Sequence, residues 1–460
     1  MTKSICVLGL GYIGLPTASM FATQGFKVHG VDVREDVVRT LSSGNVHIQE
    51  PGLSMLVQSA LQSGNLTVST AVERADVFII AVPTPFRHAG AEGSLSAESA
   101  AAPVPDLSYV TGAAESIRPT LEPGNLVVLE STSPPGTTAS VVRPVLEQTG
   151  LVAGSDFSLA YCAERVLPGR ILMELVTNDR VVGGIDRESA ERAQSLYAAF
   201  VEGEIFKTDV TTAEMVKLME NTFRDVNIAL ANEFSRVARA VGIDVFEAIQ
   251  LANHHPRVNV LQPGPGVGGH CIAVDPWFIV STAPAVTPLI ANARAVNDGQ
   301  PAFVVSLIEE AVADLPDSII ALLGVAYKAD VGDFRESPSL QVYKLLLDRG
   351  YEVRMHDPYA DGASNSGHGL LGLISSDLES AMSGVDLAVL LTDHTAYREL
   401  QPSELVACGM AHRRIVDTRN CLDPDRWRAE GFVVYRLAGG AGSDAEIQLE
   451  SSLPWLESRV

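Results

Sequence analysis

The stretch from Ser4 to Val33 restricts the fold more than any other part of the chain. Ser4 to Gly9 is a short apolar run that reads as a strand. Gly9-Leu10-Gly11-Tyr12-Ile13-Gly14 follows it and opens a helical pattern that runs to Gln24. Gly25 ends that pattern, and Phe26 to Val33 reads as a second strand closing on Asp32. Strand, GxGxxG, helix, strand and acidic residue, in that order, make a dinucleotide-binding βαβ unit. GxGxxG alone is weak, since glycines also serve bare turns, but here the whole context is present. Gly9, Gly11 and Gly14 let a pyrophosphate approach the helix N-terminus. Asp32 is placed to take the ribose hydroxyls and to repel a 2′-phosphate, so NAD is expected rather than NADP.

With 460 residues the chain should hold two or three domains, each with its own core. A hydrophobic share of 46 % and a charged share of 19 % fit a soluble globular protein. No apolar run has transmembrane length, and the first strand starts too close to Met1 to leave room for a secretory signal. The five cysteines are scattered, odd in number and without a CxxC spacing, so a reducing, cytoplasmic setting is expected. A net charge of −23 argues against a nucleic-acid or anionic-membrane partner. It leaves room for a small anionic substrate gripped by a local group of Arg and Lys.

Further strands are expected at Asp76–Val82, Leu126–Glu130 and Phe157–Cys162. They end in the turns Pro83-Thr84-Pro85, Ser131-Thr132-Ser133-Pro134 and Ala163-Glu164-Arg165. Ligands of a doubly wound sheet bind beyond the carboxyl ends of its strands, although these residue types also make ordinary turns. Gly90 to Pro105 is rich in Ala, Ser and Pro and reads as a surface loop. Thr211 to about Val241 is a long helical pattern without proline, and Lys217, Asn221 and Arg224 share roughly one of its faces.

Asn253-His254-His255-Pro256-Arg257 then leads towards the loop Pro263 to Pro276, in which Gly268-Gly269-His270-Cys271 is followed by Asp275 four residues on. Such glycines bring backbone amides close to a ligand. A thiol beside a helix start should have a lowered pKa and act as a nucleophile. The competing reading is an inert, buried cysteine. The adjacent histidines have no carboxylate or thiolate at ligand spacing, so no metal is expected.

A break falls around Ala311 to Asp317, and a second α/β pattern begins. Its strands are expected at Ser318–Gly324, Tyr351–His356, Asp386–Leu391 and Arg414–Val416. No GxGxxG follows the first of them. Gly324-Val325-Ala326-Tyr327-Lys328 and Asp333-Phe334-Arg335-Glu336-Ser337-Pro338 stand there instead. This half either binds another nucleotide through Lys328 or is purely structural. The tail from Gly439 is rich in Gly, Ser and Asp and loosely helical at best. The expected fold is α/β, with two Rossmann-like doubly wound domains (1–205 and 315–440) joined by a central helical domain (206–305) with one long helix, and a tail at 441–460.

Together these parts resemble the UDP-glucose/GDP-mannose dehydrogenase family, over nearly the whole chain up to about Arg436. Tyr161 to Gly169, His255 to Asn259 and Cys271 to Phe278 look most like the branch acting on UDP-N-acetyl-D-mannosamine. The resemblance implies a four-electron oxidation in which two NAD⁺ in turn take the carbon-6 alcohol through an aldehyde to a carboxylate. It implies that Cys271 forms a thiohemiacetal and then a thioester, which is hydrolysed. Lys217 and Asn221 would stabilise the oxyanion and handle the alcohol proton. Asp275, with Lys217 and assisted by Glu164, would hold the hydrolytic water.

Carried over by motif, the NAD site would include Tyr12, Ile13, Asp32, Thr84, Thr132 and Arg335. The UDP-sugar would be held by Arg165, Val166, Arg224, His255, Arg257, Gly268, Tyr327, Lys328 and Arg419, beside Lys217 and Asn221. The family also implies a homodimer built on the central helix, with Arg257 reaching a neighbouring active site. One position departs from the pattern. UDP-glucose dehydrogenases carry a second Glu four residues after the first, where this chain has Pro168, which leans against UDP-glucose and against a mechanism needing both carboxylates. UDP-N-acetylglucosamine and UDP-glucose are the alternative substrates. A two-electron hydroxyacid dehydrogenase of similar domain plan would not need Cys271, and a non-catalytic NAD-binding scaffold would tolerate its loss.

Overall fold

The structure is a computed structural model that describes residues 3–48, 50–87, 103–269, 271–362 and 371–438. The chain divides into two compact units, Met1–Val226 with His270–Ala295 and Asn227–Gly269 with Val296–Val460.

The first unit is built on an eight-stranded sheet. Its strands are β1 (Ser4–Leu8), β2 (Lys27–Val31), β3 (Leu66–Ser69), β4 (Val77–Ile80), β5 (Leu126–Leu129), β6 (Ser158–Tyr161), β7 (Arg180–Gly184) and β8 (Ile205–Asp209). They lie in the order β8-β7-β6-β5-β4-β1-β2-β3. The expected strands are all present. Three further ones, β3, β7 and β8, were not anticipated, because they are short and polar or glycine-containing. All neighbours are parallel except β6 and β7, which pair antiparallel through Ala160 with Gly184 and Tyr161 with Gly183. The doubly wound pattern therefore ends at β6.

The central strands are apolar throughout because both faces of the sheet are covered. Side chains alternate between the two faces. Ile5, Val7, Val77 and Ile79 enter one core, while Cys6, Leu8, Phe78 and Ile80 enter the other. The helix Gly14–Thr23 starts on the last glycine of the fingerprint. A side chain at Gly14 would place its Cβ 1.8 Å from the Gly9 carbonyl oxygen, whereas one at Gly11 would meet nothing within 4 Å. The third glycine is thus a packing requirement and the second leaves open space for a ligand.

The second unit carries a six-stranded, all-parallel sheet. Its strands are β9 (Ile319–Leu323), β10 (Glu352–His356), β11 (Ile374–Ser375), β12 (Leu387–Leu390), β13 (Arg414–Asp417) and β14 (Val433–Arg436). Their order, β11-β10-β9-β12-β13-β14, repeats the winding of β3-β2-β1-β4-β5-β6. Between the sheets in sequence come helices, of which Val210–Val241 is the longest at 32 residues. Within the first unit it is tied to the helix Pro288–Asp298 by an ion pair between Asp225 and Arg294 at 2.5 Å, with both side chains buried.

Val104–Pro105 pairs antiparallel with Phe86–Arg87, so the described end of the 90–105 segment is a small ladder and not loop throughout. Residues 88–102 and the tail from 439 lie outside the described residues. Among the described residues no helix is long and apolar enough to cross a membrane.

Gly14→Ala should lower stability by about 1–3 kcal/mol, the usual cost of forcing atoms into packed space. Gly11→Ala should change it by no more than about 0.5 kcal/mol and should instead weaken NAD binding. Denaturant titration and NAD titration of the two variants check the contrast.

Candidate active site

Three separate elements of the first unit bring four polar side chains together. The segment after β6 supplies Glu164, the long helix supplies Lys217 and Asn221, and the first residue of the helix Asp275–Thr282 supplies Asp275. Lys217 Nζ lies 3.6 Å from Glu164 Oε1, with the lysine side chain only 9 % exposed. One helical turn on, Asn221 Nδ2 donates to Asp275 Oδ2 at 2.5 Å. The other Glu164 oxygen accepts the Val166 amide at 2.6 Å.

The fields in this cluster oppose burial. Burial disfavours the Lys217 ammonium, but the charges of Glu164, Asp275, Cys271 and Glu220 together outweigh it and hold the pKa above its ordinary value. Asp275 goes the other way. Burial pushes its pKa up to about 6, against the pull of Lys217 and the Asn221 hydrogen bond, and the nearby Glu164 charge adds to the rise.

Cys271 is an exposed thiol outside any disulfide, which rules out the buried alternative. Its carbonyl accepts the amides of Val274 and Asp275, so the chain turns at once into the helix on which Asp275 sits. Cys162 also lies near Glu164 in sequence, but it is fully buried, and burial pushes its pKa up to about 11. Only one of these two thiols is accessible to a reagent.

Other expected residues fall as follows. The Arg165 guanidinium is held by the Glu220 carboxylate and by the Asp179 carbonyl, a partnership the sequence did not announce. Arg224 is exposed on the long helix, and Val166 is half-buried. Thr84 Oγ1 donates to the Thr132 carbonyl at 2.7 Å, which joins the segments after β4 and β5. Glu214, three residues before Lys217, was missed. Its oxygens accept Gly136 N at 2.5 Å, Thr138 N at 2.7 Å and Thr138 Oγ1 at 2.6 Å. It therefore fastens the end of the Thr132 loop to the helix that carries Lys217. The spacing Glu214, Lys217, Asn221 is a single helix face, and that signal was available.

At the fingerprint, Asp32 accepts the Leu10 amide at 3.0 Å and the Arg34 amide at 2.9 Å. The carboxylate stands half-buried beside the open space over Gly11. This arrangement fits NAD, whose pyrophosphate would meet Gly9, Gly11, Tyr12, Ile13 and Gly14 and whose ribose would meet Asp32.

The second unit has its own cavity, of about 260 Å³, lined among others by Gly266, Tyr327, Lys328, Thr392, Asp393 and Arg419. It lies beyond the carboxyl ends of β9, β12 and β13. Arg419 Nε donates to Asp393 at 3.2 Å. Gly268 packs on Tyr327, where a Cβ would come within 2.8 Å of the Tyr327 Cβ. His255 and Arg257 are exposed and do not line the cavity. Arg335 belongs to this unit too, paired with Asp333 at 2.6 Å. Among the described residues no group of His, Cys, Asp or Glu could hold a metal ion.

Models of the UDP-glucose/GDP-mannose dehydrogenase family match three parts, as its NAD binding domain over residues 3–201, its central domain over 211–299 and its UDP binding domain over 321–424. The UDP-N-acetyl-D-mannosamine dehydrogenase of Methanocaldococcus jannaschii is 48 % identical over 441 residues, 95 % of this chain and 97 % of that protein. The NDP-N-acetyl-D-galactosaminuronic acid dehydrogenase of Ralstonia nicotianae is 45 % identical, over 92 % of this chain and 97 % of its own. A solved UDP-D-ManNAc dehydrogenase from Pyrococcus horikoshii superposes with a TM-score of 0.83 at 42 % identity, covering 94 % of this chain and 99 % of that one. With the fingerprint and the buried lysine cluster of the first unit and the cavity of the second, this chain belongs to the UDP-glucose/GDP-mannose dehydrogenase family and is an NAD-dependent nucleotide-sugar dehydrogenase.

Proposed function

We propose that the chain oxidises UDP-N-acetyl-D-mannosamine at carbon 6 to UDP-N-acetyl-D-mannosaminuronate, a four-electron reaction that passes through a covalent adduct on Cys271. The observation that carries this reading is the buried Lys217 ammonium, set between Glu164 and Asp275 and within the field of the Cys271 sulfur. An alkoxide at carbon 6 needs such a cation, and Lys217 with Asn221 is the set of donors that stabilises it. When bound, NAD⁺ accepts one hydride in each of the two oxidations. A free aldehyde has no hydride to give while it lacks an electron-rich oxygen on a tetrahedral carbon. The Cys271 thiolate adds to the aldehyde carbon and creates that oxygen. Loss of the second hydride leaves a thioester. Water positioned by Asp275, with Lys217 and Glu164, then attacks the acyl carbon, and the cysteine leaves as thiolate.

In this reading Tyr12, Ile13, Asp32, Thr84, Thr132 and Arg335 hold the cofactor. The nucleotide sugar takes Arg165, Val166, Arg224, His255, Arg257, Gly268, Tyr327, Lys328 and Arg419. Both named relatives carry an N-acetyl sugar in their names, which supports a 2-acetamido substrate over UDP-glucose. Five cysteines outside any disulfide support a reducing, cytoplasmic setting.

A homodimer is part of the same proposal. Met219, Phe223, Leu230, Phe234, Val237 and Val241 are exposed apolar residues spaced by three, four or seven along the long helix. That repeat is one stripe of a helix surface, and a second copy of the chain would cover it.

Cys271→Ser should retain NAD and UDP-sugar binding but stop at or before the aldehyde. Conversion to the uronate by that variant, read as two NADH per sugar, would overturn the assignment. Asp275 must be ionised to hold and activate water, and its pKa is raised to about 6. The hydrolytic step should therefore fall as pH drops through that value. Asp275→Asn should be slow at every pH and lack this acid limb; an unchanged limb in the variant contradicts the role. Phe234→Glu together with Val237→Glu should convert a dimer into a monomer in sedimentation velocity, and an unshifted dimer would place the interface elsewhere.

A further inference from the structure

The two sheets put an aspartate at the same topological point. Asp32 follows β2 and Asp357 follows β10, and each of these strands pairs with the first strand of its sheet. The two carboxylates are used differently. Asp32 accepts the Leu10 amide from the loop after β1 and remains half-buried. Asp357 is completely buried, and its Oδ2 accepts Val325 N at 2.8 Å and Ala326 N at 2.9 Å from the loop after β9. The same oxygen faces His394 Nε2 at 3.1 Å.

His394, also completely buried, carries the grip further along the loop. Its Nδ1 lies 2.9 Å from the Asp330 amide, which donates to it. An acceptor at Nδ1 puts the ring proton on Nε2, where it is donated to Asp357. One Asp–His pair therefore holds both ends of the Gly324–Asp330 loop, and Tyr327 and Lys328 lie between the held points. The segment carrying His394 closes on the same loop. Thr392 Oγ1 donates to the Ala326 carbonyl at 2.6 Å, and Thr395 N and Oγ1 donate to the Asp330 carboxylate at 2.9 and 2.8 Å. At the end of β10, the counterpart of the point after β2 where Asp32 stands half-buried, Asp357 therefore offers a ribose no exposed carboxylate.

We propose that Asp357 and His394 are a positioning pair that sets the Gly324–Asp330 loop so that Lys328 meets the diphosphate of the nucleotide sugar. By the same contacts they convert the ribose-reading aspartate of a dinucleotide fold into a backbone clamp. The second unit is thereby committed to a phosphate-led mode of nucleotide binding that does not compete for NAD. The inference rests on the proposed reading that Lys328 and Arg419 hold the UDP moiety.

The test uses the full-length protein, with UDP titrated calorimetrically and steady-state kinetics run for both substrates. His394→Gln keeps an amide donor that can reach Asp357 but offers no acceptor at the place of Nδ1. His394→Asn keeps an acceptor there for the Asp330 amide but does not reach Asp357. Each variant should weaken UDP binding and raise KM for the UDP-sugar on the order of 10-fold or more, because a loop displaced by about 1 Å loses that much. Turnover at saturation and KM for NAD should stay as in the wild type. Unchanged UDP affinity in both variants, or a parallel loss in kcat and in KM for NAD, overturns the clamp. Lys328→Met separates the two layers. If it leaves UDP affinity intact, the phosphate reading fails and the clamp with it. If it abolishes UDP binding while both His394 variants bind normally, only the clamp fails.

Discussion

An ammonium group removed from water needs compensating charge at once, and Lys217 is such a group. Leaving it unpaired would cost several kcal/mol. The chain answers with two carboxylates from other elements, Glu164 at 3.6 Å and Asp275, which Asn221 holds through one oxygen. These groups are 53 to 58 positions apart in sequence from the helix residues they meet, so the site exists only when the tertiary structure does. The two carboxylates are not equivalent. Glu164 is pinned by the Val166 amide, while burial pushes the Asp275 pKa up to about 6. Two acidic groups with different environments beside one lysine are a physical basis for dividing oxyanion stabilisation from water activation.

Backbone amides held by buried carboxylates recur throughout the molecule. Glu214 ties the Thr132 loop to the long helix, and Glu50 accepts Gly169 N and Ile171 N, both at 2.8 Å, beyond the Glu164 turn. In the second unit Asp357 does the same for the loop bearing Lys328. Ligand-facing loops carry few apolar contacts of their own. A carboxylate that accepts two amides fixes them where packing cannot, and such charge-assisted bonds are stronger than neutral ones.

Much of this was legible in the sequence, and the remainder has physical reasons. The first βαβ unit was readable because its glycines, helix period and closing Asp32 are all local. The strands of both sheets were readable where they are buried on both faces, as with Val77–Ile80 and Leu126–Leu129. Strand direction was not, since the antiparallel step from β6 to β7 is a property of pairing and leaves no local mark. The polar edge strand Ile205–Asp209 lacks the apolar run that identifies the centre of the sheet. Helix spacing brought out Lys217 and Asn221 and places Glu214 on the same face, yet it could not say that Glu220 would engage Arg165 or that Glu214 would hold the amides of the Thr132 loop. The pairing of Asp357 with His394 spans 37 residues and two strand ends, which no window of sequence contains. Whether Cys271 was an exposed nucleophile or a buried filler depended wholly on tertiary burial, and the structure exposes it.

The covalent step on Cys271 is the central claim, and it has a direct chemical readout. Asp275→Asn protein, slowed at hydrolysis of the thioester, can be incubated with NAD⁺ and UDP-N-acetyl-D-mannosamine, quenched in acid and measured as intact mass followed by peptide mapping. The account predicts an added mass equal to the nucleotide-sugar acyl group, confined to the peptide that contains Cys271 and released by hydroxylamine. An unmodified Cys271 in a sample that has nonetheless produced NADH and uronate would contradict it.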